Sequence, residues 1–299
     1  MITRIKNKCL LLFIFFIGSV QISAQASINV IDDDGNVFKF PRPMSRIVSL
    51  APHITELLFA AGASAQIVGT VSFSDYPEAA KIIPLVGSYN KIDIEAVLSR
   101  NPDLVIAWSG GNSKEQLEKL KLLGIEVYIS EPKNFTGVAE NIRNMGKILA
   151  TENIANLASE TFLNELDLLK QQYPENKKVN VFYQVWNDPL MTISDGHLIG
   201  QVIKFCSGNN VFGELPVISP RVSIEAVIKE NPDVIVAGMA EGRENWLKQW
   251  EKWQVLNAVK NKHVYSINAD YVTRQTPRVI LGIRKMCEHL EKVRNFSEK

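Results

Sequence analysis

The sequence predicts an α/β protein with two doubly wound lobes, each built on a parallel sheet, joined by one long backbone helix. Three observations carry this. A helix–turn–strand unit occurs twice: Asp93-Ile94-Glu95-Ala96-Val97 leads to Asn101-Pro102-Asp103 and the apolar run 104–107. Ser223-Ile224-Glu225-Ala226-Val227 leads in the same way to Asn231-Pro232-Asp233 and 234–237, 130 residues on. Strand and helix patterns alternate on both sides of the middle of the chain, as in doubly wound sheets. Between them, residues 136–172 lose the alternation and keep only a helical period.

The first 26 residues stand apart. Arg4, Lys6 and Lys8 precede an unbroken apolar run from Cys9 to Ile17, and Ala24-Gln25-Ala26 is a small-x-small cleavage site. This is the pattern of a secretory signal peptide, cut after Ala26 or Ala24, with an apolar core too short to span a bilayer. The mature protein is therefore expected to be exported and not membrane-spanning. The chain of 299 residues carries a formal charge of +1. Losing three positive charges and no negative ones leaves −2, which speaks against a nucleic-acid partner.

The mature chain opens with alternating apolar residues over 28–40 around an Asp-Asp-Gly turn, a small hairpin. Arg46–Leu50 reads as a strand, followed by Ala51-Pro52-His53-Ile54-Thr55-Glu56 and then a helix LLFAA stopped by Gly62. Ile67–Val71 is a second strand, and Phe73-Ser74-Asp75-Tyr76-Pro77 a loop. In each repeat copy Asp93 or Ser223 caps a short helix, and the helix must stop near Asn-Pro, because proline disfavours α conformation in the residue before it. The apolar run after it suits a strand buried on both faces. A helix 113–123 ending at Gly124 and a strand 125–129 complete the first lobe, 27–135.

The connector is expected over 136–174. Ile142, Met145, Ile148, Leu149, Leu157, Phe162, Leu166 and Leu169 fall at helical spacing, with Pro174 as terminator and a break near Thr151-Glu152 as the alternative. A continuous helix of this length would run roughly 50 Å. The second lobe, 175–299, repeats the alternation: strand 179–185, helix 197–206, the second repeat copy, helix 244–258, strand 263–267 and helix 277–293. Trp246, Trp250 and Trp253 make an i, i+4, i+7 stripe read as packing. Export leaves Cys206 and Cys287, an even pair that suggests one disulfide, the alternative being two buried thiols.

In open α/β sheets ligands bind beyond the carboxyl ends of the strands. The strand ends here are rich in aromatic residues: Pro52-His53, then Phe73 and Tyr76, Tyr89, Trp108 with Gly110 beside it, and Trp186. Asp270, Tyr271 and Arg274 come after the last strand. Such a set suits a broad, flat, partly apolar ligand. No nucleophile elbow, zinc helix or P-loop is present, so no catalytic residue or cofactor is expected. Glu95 and Glu225 hold equivalent places in the two repeats. They read as matched negative knobs for a partner with positive pockets, or as solvated helix-start glutamates that favour the dipole.

At this point several motifs are familiar. Ser49-Leu50-Ala51-Pro52-x-x-Thr55-Glu56-Leu57, Phe73-Ser74-Asp75-Tyr76-Pro77, Asn101-Pro102-Asp103 through Trp108-x-Gly110-Gly111-Asn112, and Cys206-x-Gly208-x-Asn210 resemble the periplasmic cobalamin-binding proteins of the BtuF type. Those are substrate-binding subunits of ABC importers. The resemblance implies a class III periplasmic binding protein: a monomer that holds a corrinoid between its lobes and delivers it to a permease dimer with its ATPase. It implies ligand contacts at His53, Phe73, Tyr89, Trp108, Asp270 and Arg274, docking through Glu95 and Glu225, and a Cys206–Cys287 disulfide. Four positions depart from the pattern. Tyr89 stands for a tryptophan. Val185 takes an aromatic position, with Trp186 beside it. Ser219 stands where a tryptophan is expected. His53 replaces a small residue in the ligand-facing loop. A cleft imidazole suits cobalt or haem iron, or else it only hydrogen-bonds. The rivals are a haem or ferric-siderophore binder of the same architecture and, in a different class, a secreted hydrolase.

Overall fold

A computed structural model describes residues 27–239 and 245–297; the expected signal peptide, 1–26, lies outside them. The described chain opens with the antiparallel hairpin of β1 (Ile28–Ile31) and β2 (Val37–Phe40). The Asp32 carboxylate closes its turn by accepting the amides of Asp34 and Asn36 at 3.1 and 2.7 Å. Next come β3 (Ile47–Ser49), α1 (Pro52–Ala60) and β4 (Ile67–Gly69). Helix α1 starts earlier than expected. Proline fits its first position, where its missing N–H costs nothing, so His53 sits in a first helical turn and not in a loop. A two-stranded hairpin, β5 (Gly87–Ser88) and β6 (Lys91–Ile92), lifts Tyr89 and Asn90 at its turn, in a stretch to which the sequence assigned no element. Then come α2 (Ile94–Ser99), β7 (Leu104–Ala107), α3 (Lys114–Leu122) and β8 (Val127–Ile129). The sheet is parallel, in the order β4-β3-β7-β8.

The connector differs from the single helix expected over 136–174. It is two helices, α4 (Phe135–Leu149) and α5 (Glu152–Gln172), broken at Ala150, which takes left-handed φ of 57°. They fold back on each other. The Ser159 hydroxyl donates to the Ala139 carbonyl at 3.1 Å, and a Cβ on Gly146 would lie 2.3 Å from that of Ala155. The bridge is therefore α5, about 30 Å long. Helix α4 belongs with the first lobe, tied to it where the Met44 amide meets the Ile148 carbonyl at 2.8 Å.

The second lobe contains β9 (Val179–Gln184), α6 (Leu198–Phe205), β10 (Gly208–Asn210), α7 (Ile224–Glu230) and β11 (Val234–Met239). It continues with α8 (Asn245–Lys248), α9 (Asn257–Lys260), β12 (Val264–Asn268), α10 (Ala269–Thr273) and α11 (Val279–Ser297). Its sheet, β10-β9-β11-β12, is also parallel and repeats the first topology strand for strand. The helix expected over 244–258 is not formed: only 245–248 is helical before turns lead to α9. Trp250 is fully buried and donates to Gln184 Oε1 at 2.8 Å, so it packs the core without a helical stripe. Cys206, which caps the C-terminus of α6, and Cys287 on α11 are bridged, with Cα atoms 4.8 Å apart.

The duplicated unit works identically in both lobes. Asp93 Oδ1 accepts the Ala96 amide at 2.9 Å and Ser223 Oγ the Ala226 amide at 3.2 Å, caps worth about 1 kcal/mol each. The helices stop because Asn101 and Asn231 adopt left-handed φ of 46° and 42°. Asp103 and Asp233 then accept backbone amides at the start of the neighbouring strand, Ser45 at 2.9 Å and Asn180 at 2.9 Å. One apolar core runs from Ile47, Ile54 and Leu104 through Ile142 and Phe162 to Val181, Val236 and Leu290, continuous from lobe to lobe.

Candidate functional site

The carboxyl ends of both sheets meet at a pocket of about 220 Å³ lined by Pro52, His53, Phe73, Tyr89, Trp108, Thr273, Arg274 and Gln275. The first lobe supplies its aromatic wall. A buried chain of hydroxyls sets the loops: Ser49 Oγ meets Thr55 Oγ1 at 2.8 Å, and Thr55 Oγ1 meets Thr70 Oγ1 at 2.7 Å. Beyond it Phe73, with left-handed φ of 67° and 73% exposed, stands out into the opening. A bulky residue in that conformation is strained and persists only where its surroundings hold it.

Asn112 ties the wall together. Its Oδ1 accepts the Trp108 amide at 2.7 Å, and its Nδ2 donates to the carbonyls of Leu50 at 2.9 Å and Tyr89 at 2.6 Å. The two glycines before it are forced. A Cβ on Gly111 would meet the Trp108 ring at 2.1 Å, and one on Gly110 would fall 2.9 Å from Trp108 Nε1 and 2.5 Å from Glu131 Oε1. Gly110 thus shapes the site by letting the Trp108 indole lie flat over the backbone. Tyr89 tilts against Trp108, ring centroids 5.8 Å apart.

His53 is 4% exposed and sets its ring edge-on to Trp108 at 5.4 Å. Its Nε2 lies 3.3 Å from the Ser130 carbonyl, which can only accept, so the proton is on Nε2. Burial lowers its pKa to about 4, and the ring is neutral.

The second lobe supplies Arg274, which is committed. Its Nη1 contacts Glu56 Oε1 at 2.9 Å and Asp75 Oδ1 at 2.8 Å, and its Nη2 contacts Asp270 Oδ2 at 3.1 Å. Asp270 thus reaches the pocket through Arg274. Glu56 and Asp75 were not singled out from the sequence; the available signal was an acidic residue inside the apolar run of α1. A larger apolar hollow of about 430 Å³ lies behind the Glu56–Arg278 pair and takes only Tyr76 from the aromatic strand-end set.

So His53, Phe73, Tyr89, Trp108 and Arg274 come together, with Gly110 under the indole. Trp186 does not line this pocket. It packs T-shaped on Trp246 at 5.4 Å and donates to the Asp188 carbonyl at 3.0 Å. Glu95 and Glu225 are both exposed at the second position of their helices. The Glu225 carboxyl is lowered by its own backbone amide and the Ser223 hydroxyl. Among the described residues no group of three or more His, Cys, Asp or Glu is placed to hold a metal ion, and no helix is long and apolar enough to cross a membrane.

Residues 47–271 match the periplasmic binding protein family model. The vitamin B12-binding protein of Vibrio campbellii is 36% identical over 253 residues, 84% of this chain and 91% of its own. The crystal structure of the periplasmic vitamin B12 binding protein BtuF of Vibrio cholerae superposes with a TM-score of 0.79 at 36% identity, covering 84% of this chain and 98% of that one. The periplasmic haem-binding protein RhuT from Roseiflexus sp. RS-1 shares the fold, with a TM-score of 0.73 at 21% identity over 83% of this chain and 98% of that one. The expected two-lobe architecture therefore stands, the secreted-hydrolase alternative falls, and the chain belongs to the periplasmic binding protein family as a substrate-binding protein and not an enzyme.

Proposed function

We propose that this protein captures cobalamin or a related corrinoid between its lobes in the periplasm and delivers it to an ABC transporter permease and its ATPase. The observation that supports it most is the pocket itself. Three aromatic side chains and a neutral imidazole from one lobe face Thr273, Arg274 and Gln275 from the other, in a chain 36% identical to proteins named for vitamin B12 binding. Flat apolar walls with a few polar groups suit a corrin ring rimmed by amides. In this reading the chain is exported by residues 1–26 and acts as a monomer. Lobe 27–135 and lobe 175–299 hold the ligand, and Glu95 and Glu225 dock one to each half of a permease dimer. The continuous interlobe core favours little movement on binding.

The test is calorimetry of the mature protein against cyanocobalamin, cobinamide, haemin and a ferric siderophore. Binding of the two corrinoids alone is expected; binding of neither overturns the reading. Haem is the second reading, favoured by a buried neutral His53 in the pocket of a fold that a haem-binding protein shares. With Nε2 held by Ser130, Nδ1 is the nitrogen left to a metal. Ligation of cobalt by His53 predicts that His53→Ala changes the absorption spectrum of bound aquocobalamin, and an unchanged spectrum leaves His53 a hydrogen-bonding residue only.

A further inference from the structure

Behind Arg274, which lines the pocket floor, three carboxylates meet two guanidiniums. Arg274 contacts Glu56, Asp75 and Asp270 at 2.8–3.1 Å. Arg278 takes the other face of Glu56, Nε to Oε2 at 2.8 Å. Three acids against two arginines leave the cluster a formal −1. Arg274 is the one charged side chain among the pocket-lining residues, and its side chain is 11% exposed. The other polar lining groups, His53, Thr273 and Gln275, are uncharged, His53 because burial holds it neutral. A cation already shared among three acids offers little to a fourth. A fourth carboxylate brought to this floor meets net negative charge, and like-charge juxtaposition in a desolvated site is strongly unfavourable.

We propose that the pocket selects tetrapyrroles by the charge of their periphery. It takes a ring rimmed by amides and turns away one that carries free carboxylates, with the Glu56–Asp75–Asp270–Arg274–Arg278 cluster as the selecting element. This rests on the corrinoid reading above and adds to it: the wall aromatics accept any broad planar ring, whereas the floor distinguishes rings of the same shape. The neutral hydroxyl of Thr273 and amide of Gln275 match propionamides, which both donate and accept hydrogen bonds.

The experiment compares cyanocobalamin with cyanocobalamin in which one peripheral propionamide is hydrolysed to the carboxylate, a change of charge at nearly constant shape. Calorimetry of the mature protein at low ionic strength is expected to give roughly ten-fold or greater weakening for the acid. The gap is expected to shrink in the Asp75→Asn/Asp270→Asn double variant, which releases positive charge on Arg274. Both aspartates are substantially exposed, 48% and 39% at the side chain. In the unsubstituted protein the gap is also expected to narrow as salt rises, because screening weakens the repulsion; this measurement stands even if the double variant does not fold. Amide and acid binding within two-fold of each other, or a gap indifferent to both salt and the substitutions, overturns the charge selection and leaves the corrinoid reading intact. Failure of both ligands to bind overturns the corrinoid reading and this inference with it.

Discussion

Arg278 Nε donates to Glu56 Oε2 at 2.8 Å across the interlobe junction, although the two residues are 222 positions apart in the chain. The Glu56 side chain is 3% exposed and also receives Arg274, while the Arg278 guanidinium stacks 4.1 Å above the Tyr76 ring. Two guanidiniums of the second lobe therefore depend on one buried carboxylate of the first. Glu56→Ala strands Arg278 and leaves Arg274 to Asp75 and Asp270, and is expected to destabilise the protein by about 3 kcal/mol, as does breaking other buried pairs. Glu56→Gln keeps the shape and some acceptor capacity and is expected to cost less. Urea unfolding at neutral pH separates the two; equal and small losses would remove the junction as a source of stability.

Asp103 lends the first lobe an acid-sensitive clasp. Burial pushes its carboxyl up, but the Ser45 hydroxyl at 2.7 Å, the Ser45 amide at 2.9 Å and Arg42 outweigh burial and bring it down to about 2. A folded pKa below the unfolded value gives stability that is present above about pH 4 and lost as pH falls toward 2. The site is largely open to solvent, so screening keeps the effect to about 1 kcal/mol. Asp103→Asn is expected to flatten the stability profile between pH 4 and 2 and leave its shape above pH 5 unchanged, read as urea midpoints across that range.

Asp103 and Asp233 also explain what was legible in the sequence. Their role is local and repeats, so the helix caps, the Asn-Pro stop and the strands β7 and β11 can be read from a motif seen twice. The aromatic set at the strand ends was readable for the same reason, because each ring lies in the segment that follows a strand. The misses have a common physical cause. Strand β10 is Gly208-Asn209-Asn210, with no apolar period to announce it, and it forms because β9 offers a free edge. The tryptophans at 246, 250 and 253 have helical spacing, yet each is held by a different partner or core site. The ion pairs of Arg274 went unread because nothing near it in sequence reveals Glu56, 218 residues away. Long-range charge pairing leaves no periodicity.

All four histidines have their pKa lowered, in each case first by burial, and His53, His197 and His289 sit at about 4. The unfolded chain takes up these protons near pH 6.5, before the folded one does. Stability is therefore complete above about pH 6.5 and declines as pH falls toward 4. For the fully buried His53 this comes to about 3 kcal/mol across that window. Urea midpoints should fall from pH 7 to pH 4.5, and His53→Gln should make the fall shallower. A slope the variant does not change would mean that His53 is solvated in the folded protein.

The Cys206–Cys287 bridge closes a loop spanning 81 positions and joins α6 to α11 at the back of the second sheet. In the chain-entropy model a loop of this size is worth about 4 kcal/mol. Reduction under native conditions is expected to lower the unfolding free energy by roughly 2–5 kcal/mol while leaving the aromatic wall of the first lobe in place. Thermal melts with and without reductant check the loss, and Trp108 fluorescence, read in a variant lacking the other tryptophans, checks the wall.

Glu95 and Glu225 test docking separately from capture. Both are exposed at the second position of helices capped alike, in two lobes of the same topology, which suits the two-halved permease of the proposed function. Neither lines the aromatic pocket. Glu95→Lys and Glu225→Lys are expected to leave the calorimetric affinity for cyanocobalamin within two-fold of the unsubstituted protein. Each should weaken stimulation of the importer's ATPase in proteoliposomes roughly ten-fold or more, since reversing an interfacial charge replaces attraction by repulsion. The double variant should abolish stimulation. The loss should appear mainly as a slower association rate that depends on salt. Full stimulation by the double variant would place the permease contact elsewhere on the two lobes.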